Sequence, residues 1–123
     1  MIISYDFDDT LYDFRKGTLI ESVYTIFKAD VAAGHKVVIT TYRNRHQLAD
    51  IRRLFPGVTI WATGGGNKDD ILIRRGVTRH YDDDLLLCNA LMDSTCEPVY
   101  ICHEQDMQRF IPDGMRTLLI YPQ

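Results

Sequence analysis

Four aspartates, Asp6, Asp8, Asp9 and Asp13, fall within YDFDDTLYDF, residues 5 to 14, directly after the apolar start Met1-Ile2-Ile3. Like charges held this close repel and raise one another's pKa, so the cluster calls for a counterion, a proton or a reactive role. Three further parts lie far along the chain: the hydroxyl pair Thr40-Thr41 ending a β-branched run, Lys68 at the start of a predicted helix, and a second acidic run, Asp82-Asp83-Asp84. Several hard carboxylate oxygens with few histidines suit Mg²⁺, which takes one or two carboxylates plus water and substrate phosphate, far better than they suit zinc. Phosphoryl transfer needs a nucleophile, an acid for the leaving oxygen and positive charge spread over the transferring oxygens. An ionised Asp, a second Asp kept protonated, Mg²⁺ and Lys68 would supply that set.

The elements around these residues must bring them together. Short apolar runs rich in β-branched and aromatic residues recur at 2–7, 36–41, 58–62, 78–81, 98–102 and 117–121, and each predicts a buried strand. Helical segments alternate with them. Thr18-Leu19-Ile20-Glu21 reads as a capping box opening a helix over 18–33, with Ile20, Val23, Phe27 and Val31 at helical spacing and Gly34 at its end. A second helix follows Asn44 and ends at Pro56-Gly57, a third runs from Asn67 to Gly76, and a fourth follows the N-cap Asp84 through about Leu91. The alternation predicts an α/β, three-layer, Rossmann-like domain with a mostly parallel sheet and helices on both faces. Ligands in such sheets bind outside the carboxyl ends of the strands, where Asp6, Thr41, Lys68 and Asp82 would gather.

At 123 residues the chain suits one domain, 1–123, large enough for a real core. A formal net charge of -3 with 46% hydrophobic and 25% charged residues excludes a disordered chain and a basic nucleic-acid-coating one, so any nucleic-acid contact would be local. Cys88, Cys96 and Cys102 lack CxxC spacing and read as reduced and buried, which favours the cytoplasm. No apolar run is long enough for a signal sequence or a membrane span.

The order DFDDT, VVITT, a lysine at a helix start and YDDD resembles the four motifs of the haloacid dehalogenase superfamily of phosphohydrolases, over nearly the whole chain. The resemblance implies Asp6 as the nucleophile that forms an aspartyl-phosphate, and Asp8 as the general acid/base, whose backbone carbonyl also touches the metal. It implies Thr10 as the threonine steadying the motif beside the substrate, Thr41 as the hydroxyl on the phosphoryl oxygens, with Thr40 as the alternative, and Lys68 as the lysine neutralising the phosphoryl group. Asp82 and Asp83 match the acidic pair that completes the Mg²⁺ site with Asp6 and Asp8, or the pair shifts by one to Asp83-Asp84. Residues 11 to 17 leave room for one short helical turn, and 43 to 68 for one helix and one strand, so the chain resembles a capless member, its site open or roofed by a neighbouring subunit.

The resemblance leaves the substrate open. Tyr42, Arg43 and Arg45, with His46, follow the second motif and are candidates for holding extra phosphates, which favours a nucleotide or a nucleic-acid terminal phosphate. A phosphoprotein, a sugar phosphate or a nucleotide-derived signal stays open, as does a non-catalytic module that binds a phosphorylated ligand or partner. Asp9 and Asp13 read as supporting or solvated, and His80 and His103 as ordinary structural residues. The run Gly64-Gly65-Gly66 fails the phosphate-loop pattern, because Asp69 stands where Ser or Thr should follow the lysine.

Overall fold

The computed structural model describes residues 1–121. The chain runs β1 (Ile2–Tyr5), a hairpin of β2 (Tyr12–Asp13) and β3 (Thr18–Leu19), α1 (Glu21–Ala32), β4 (Lys36–Thr41), α2 (Ala49–Leu54) and β5 (Thr59–Ala62). It continues with α3 (Lys68–Arg74), β6 (Arg79–Asp82), α4 (Leu85–Leu91), β7 (Glu97–His103), a 3-10 turn at Glu104–Asp106, and β8 (Arg116–Ile120). Six strands form one sheet in the order β5-β4-β1-β6-β7-β8, and every neighbouring pair is parallel. The expected Rossmann-like α/β architecture is therefore present.

The period-2 alternation of the strands explains why both faces are covered. Ile3 and Tyr5 turn to one face and pack with Val23 and Phe27 of α1 and Ile51 of α2, while Ile2 turns to the other, where Leu72 of α3 and Leu87 and Leu91 of α4 meet. Tyr5 is the keystone of the first face, its ring stacked on Tyr81 at 4.4 Å and edge-on to Phe27 at 5.1 Å. Burying an aromatic or large aliphatic side chain contributes about 1.5 to 3 kcal/mol, so these few residues supply much of the layer-to-layer cohesion. Among the described residues, no helix is long and apolar enough to cross a membrane.

The topology places the site. From β1 the chain winds out through β4 to β5, then returns past β1 to β6 and winds the other way to β7 and β8. Connections from β1 and β6 thus leave in opposite directions, which opens a crevice at their carboxyl ends. Asp6 follows β1 there, its N–H still paired with the Tyr81 carbonyl at 2.9 Å, and Asp82 ends β6.

Two local expectations are corrected. The segment 11–17 opens a β-hairpin, in which Tyr12 and Asp13 pair with Leu19 and Thr18, and the helical turn lies just before it, where Phe7 O accepts from the N–H groups of Leu11 and Tyr12. Asp9, at φ 60, turns the chain ahead of the hairpin in the left-handed region that Asp tolerates better than most residues, and Gly17, at φ 68, closes the hairpin itself. Because Thr18 is committed to the hairpin, the capping box does not form; α1 begins at Glu21, with Ile20 as an N-cap that makes no side-chain bond. Asp84 does cap α4 as expected, accepting from Leu87 N–H at 3.3 Å.

Candidate active site

Lys68 is the first residue of α3 and is wholly buried, exceeded in size among the fully buried side chains only by Tyr5, Tyr100 and Phe7. A cation at a helix N-terminus opposes the helix dipole at a cost of about 0.3 to 1 kcal/mol, and burial of a lone ammonium would cost several more. Its partners account for both: Nζ donates to Asp6 Oδ1 at 2.9 Å and to Asp82 Oδ2 at 2.8 Å, and lies 4.2 Å from the centre of the Tyr42 ring. Burial alone would lower the Lys68 pKa, but the charges of Asp6 and Asp82 outweigh it and hold the group above its ordinary value.

Asp6, Asp82 and Asp83 each offer a carboxylate oxygen within 4.8 Å of the others. Three carboxylates around one ammonium leave an excess of negative charge. Burial, and then the charge of Asp82, pushes Asp6 up to about 7; burial and the charges of Asp6 and Asp82 push Asp83 further. Asp82 goes the other way: burial would raise it, yet Lys68 and the hydrogen bond from His80 hold it below the usual carboxylate range. An all-oxygen donor set with unneutralised charge fits a hard divalent ion such as Mg²⁺ and offers nothing that zinc prefers. Asp84 stays outside the cluster: it caps α4 and accepts from the Tyr42 hydroxyl at 2.8 Å. Of the two candidate acidic pairs, the fold therefore draws Asp82 and Asp83 together with Asp6.

Asp8 is placed differently. Its carboxylate is outside that cluster and is gripped by Arg43, with Nε donating to Oδ2 at 2.9 Å and Nη2 to Oδ1 at 2.8 Å. Arg43 also reaches Asp50 at 2.6 Å and the Gln47 carbonyl at 2.9 Å, and lies over the Phe7 ring at 5.0 Å. Arg43, read from the sequence as a substrate contact, is thus an ion-pair hub whose fork covers both oxygens of Asp8.

The threonines separate by face. Thr10 is fully buried and donates to Asp6 Oδ2 at 3.1 Å, so it steadies the carboxylate. Thr40 is fully buried with its hydroxyl 2.7 Å from Ser4 Oγ. Thr41 Oγ1 accepts from the Arg43 N–H at 3.2 Å. Tyr42 and Arg45 are exposed, and Arg45 lines a groove of about 340 Å³ with Asn44, His46, Thr63 and Gly64. On the other side of the acidic cluster a cleft of about 400 Å³ opens at Asp9 and Asp83, walled by the hairpin residues Arg15 and Leu19 and by His103 and Asp106.

Two residues at this centre escaped the sequence reading. His80 is fully buried, with Nε2 2.7 Å from Asp82 Oδ2, and Asp50 anchors Arg43. The strand period did carry a signal for the first, since residues 80 and 82 of one strand share a face. The second is a helix-to-loop contact with no local signature.

The fold and the site together define a parallel α/β protein with a lysine and three carboxylates at the topological switch point. No protein-family model matches the chain, and no curated protein aligns significantly with it.

Proposed function

We propose that this chain is a Mg²⁺-dependent phosphomonoesterase of the haloacid dehalogenase type, working through an aspartyl-phosphate on Asp6. The observation that carries the reading is the wholly buried Lys68 held between Asp6 and Asp82 with Asp83 in reach, a charge arrangement with no purpose in a passive loop. Lys68 and Thr10 each take one oxygen of Asp6 and lock its rotamer, so the carboxylate is presented in one orientation. Asp6 attacks phosphorus, the bond to the leaving oxygen breaks, and Asp8 gives that oxygen its proton. Asp8 then takes a proton from water, whose oxygen attacks phosphorus and frees Asp6 and phosphate. Thr41 and Lys68 hold the phosphoryl oxygens. Mg²⁺ held by Asp6, Asp82 and Asp83, with the Asp8 backbone carbonyl, would supply charge neutralisation at those oxygens.

Only a hairpin separates β1 from α1, and only α2 separates β4 from β5, which supports a capless enzyme with an open site. A cleft of about 400 Å³ at Asp83 suits one nucleoside-sized leaving group, and the Arg45–His46 groove suits a further phosphate. Both favour a nucleotide or a nucleic-acid end.

The second reading is a module of the same fold that binds a phosphorylated ligand without turnover. It draws support from the Arg43 fork, which engages both oxygens of Asp8 and turns the carboxylate toward an ion pair. Phosphate release from an aryl phosphate, a nucleotide panel and phosphorylated oligonucleotide ends, with Mg²⁺, separates the two. We expect Asp6→Asn to reduce release at least about a thousandfold. Release no greater than that of Asp6→Asn across the panel rules out the enzyme and leaves the binding module.

A further inference from the structure

Behind the site runs a buried polar chain that no step above uses. Thr40 Oγ1 lies 2.7 Å from Ser4 Oγ, Ser4 Oγ 2.9 Å from His80 Nδ1, and His80 Nε2 2.7 Å from Asp82 Oδ2. Ser4, Thr40 and His80 are each fully buried, on the three adjacent strands β1, β4 and β6, with Ser4 directly opposite His80 in register. Polar groups on the inside of a sheet cost stability unless each finds a partner, and here each does.

The proton positions follow from chemistry. A carboxylate oxygen that already accepts from Lys68 can only accept again, so His80 Nε2 carries a proton and donates it to Asp82. Neutral imidazole then has its lone pair on Nδ1, so Ser4 donates to Nδ1, and Thr40 donates to Ser4. The chain has one direction, Thr40 to Ser4 to His80 to Asp82.

The consequence lies at Asp82. Its Oδ2 is filled by two donors, Lys68 and His80, and its Oδ1 accepts from the Asp84 N–H at 3.0 Å. Counting two in-plane lone pairs per oxygen, one remains, on Oδ1. We propose that His80, oriented by Ser4 and Thr40, is a positioning residue that holds the Asp82 carboxylate with a single oxygen position left for a divalent cation. The inference rests on the reading of Asp6, Asp82 and Asp83 as a Mg²⁺ site. Groups that orient a metal ligand from behind typically change metal affinity about 10- to 100-fold when replaced.

The test is a calorimetric Mg²⁺ titration of the purified protein and three variants, with folding checked by thermal melting. His80→Leu removes the donor, His80→Gln keeps an N–H near the Nε2 position, and Ser4→Ala releases the imidazole. We expect His80→Leu to weaken Mg²⁺ binding at least about tenfold, Ser4→Ala to weaken it about threefold or more, and His80→Gln to restore most of the loss. Nitrogen-15 NMR should find the His80 ring in the Nε2–H form. Unchanged Mg²⁺ affinity in a folded His80→Leu, equal losses in the Leu and Gln variants, or an Nδ1–H ring each overturns the proposal. Where His80→Leu does not fold, unchanged affinity in Ser4→Ala overturns it instead. A parent protein that binds no Mg²⁺ overturns the site reading and this inference with it, whereas a parent that binds Mg²⁺ without releasing phosphate leaves the titration decisive and removes only the enzyme.

Discussion

The site contains two cations in matching settings and unequal depth. Lys68 bridges Asp6 and Asp82 beneath the Tyr42 ring; Arg43 bridges Asp8 and Asp50 above the Phe7 ring. The Lys68 side chain is 0% exposed, while those of Arg43 and Asp8 are 16% and 33% exposed. Depth decides what each pair can do. A buried pair is set when the chain folds and cannot exchange its partners for water, because an unpaired buried charge costs several kcal/mol. A pair in contact with solvent is worth about 0 to 1 kcal/mol, so an incoming phosphate can compete for Arg43 at little cost. Lys68 is thus built as a permanent part of the site, and Arg43 as a replaceable one.

The largest effect that separates the two comes from Lys68→Met, which keeps the stem and removes the charge. It leaves Asp6 and Asp82 facing each other beside the partly buried Asp83, and we expect a loss of about 3 to 5 kcal/mol in urea unfolding together with loss of phosphate release. A Lys68→Met protein as stable as the parent would show that the interior does not depend on this pair.

An intermediate effect should appear in the pH dependence of stability without metal. Asp6, raised to about 7, and Asp83, raised further, hold protons in the folded chain at pH values where the unfolded carboxyls are ionised. The folded state then binds more protons than the unfolded one, so stability falls as pH rises through these folded values. His80 works in the opposite direction: burial lowers its pKa, so it costs stability only as pH falls below its ordinary value of 6.5. Lys68 and Asp82 keep their charges between these limits, Lys68 being held up and Asp82 held down. Between pH 6.5 and about pH 8, below the range where the thiols of buried Cys88 and Cys96 would ionise on unfolding, the carboxyl effect therefore stands alone, and the metal-free protein should melt at progressively lower temperature across that window. Saturating Mg²⁺ takes the place of the protons and should flatten that slope. Calorimetric melts at stepped pH, with and without Mg²⁺, measure both; a flat metal-free profile would mean that the three carboxylates do not share one charge field.

How much of this was legible in the chain follows the same division between local and distant causes. The strands and helices were readable, since β-branched runs and helical spacing are local patterns, and strand ends in a parallel sheet converge on one edge. That convergence is what brought Asp6, Thr41, Lys68 and Asp82 into one place on paper. The choice between Thr40 and Thr41 was not readable: alternation puts them on opposite faces, but only the packed sheet tells which face meets Ser4 and His80. The Thr18–Glu21 capping box lost to pairing between Thr18 and Asp13, a contact closed by the turn in which Gly17, at φ 68, donates its N–H to the Asp13 carbonyl at 2.8 Å. Arg43 carried a basic charge beside an acidic motif, which reads equally as a substrate contact or an ion pair, and Asp50 decides between them only once α2 is docked.

The smallest effect expected tests the exposed member of the comparison. Arg43→Gln removes the fork from Asp8 and the ion pair to Asp50, both partly exposed through their carboxylates, and should cost about 1 kcal/mol in urea unfolding. The kinetic outcome is more informative than the stability. With the fork gone, both oxygens of Asp8 are open, so the step that needs its proton should not slow. The cation that would hold a substrate phosphate is gone as well, so KM should rise, on the order of tenfold for a charge-assisted pair worth about 1.5 kcal/mol. A rise in KM at constant kcat, shrinking as salt is added, is the signature of a cation that substrate draws away from Asp8. A fall in kcat at constant KM would mean that Arg43 acts from its place on Asp8, and the two cations would then be alike in function as well as in setting.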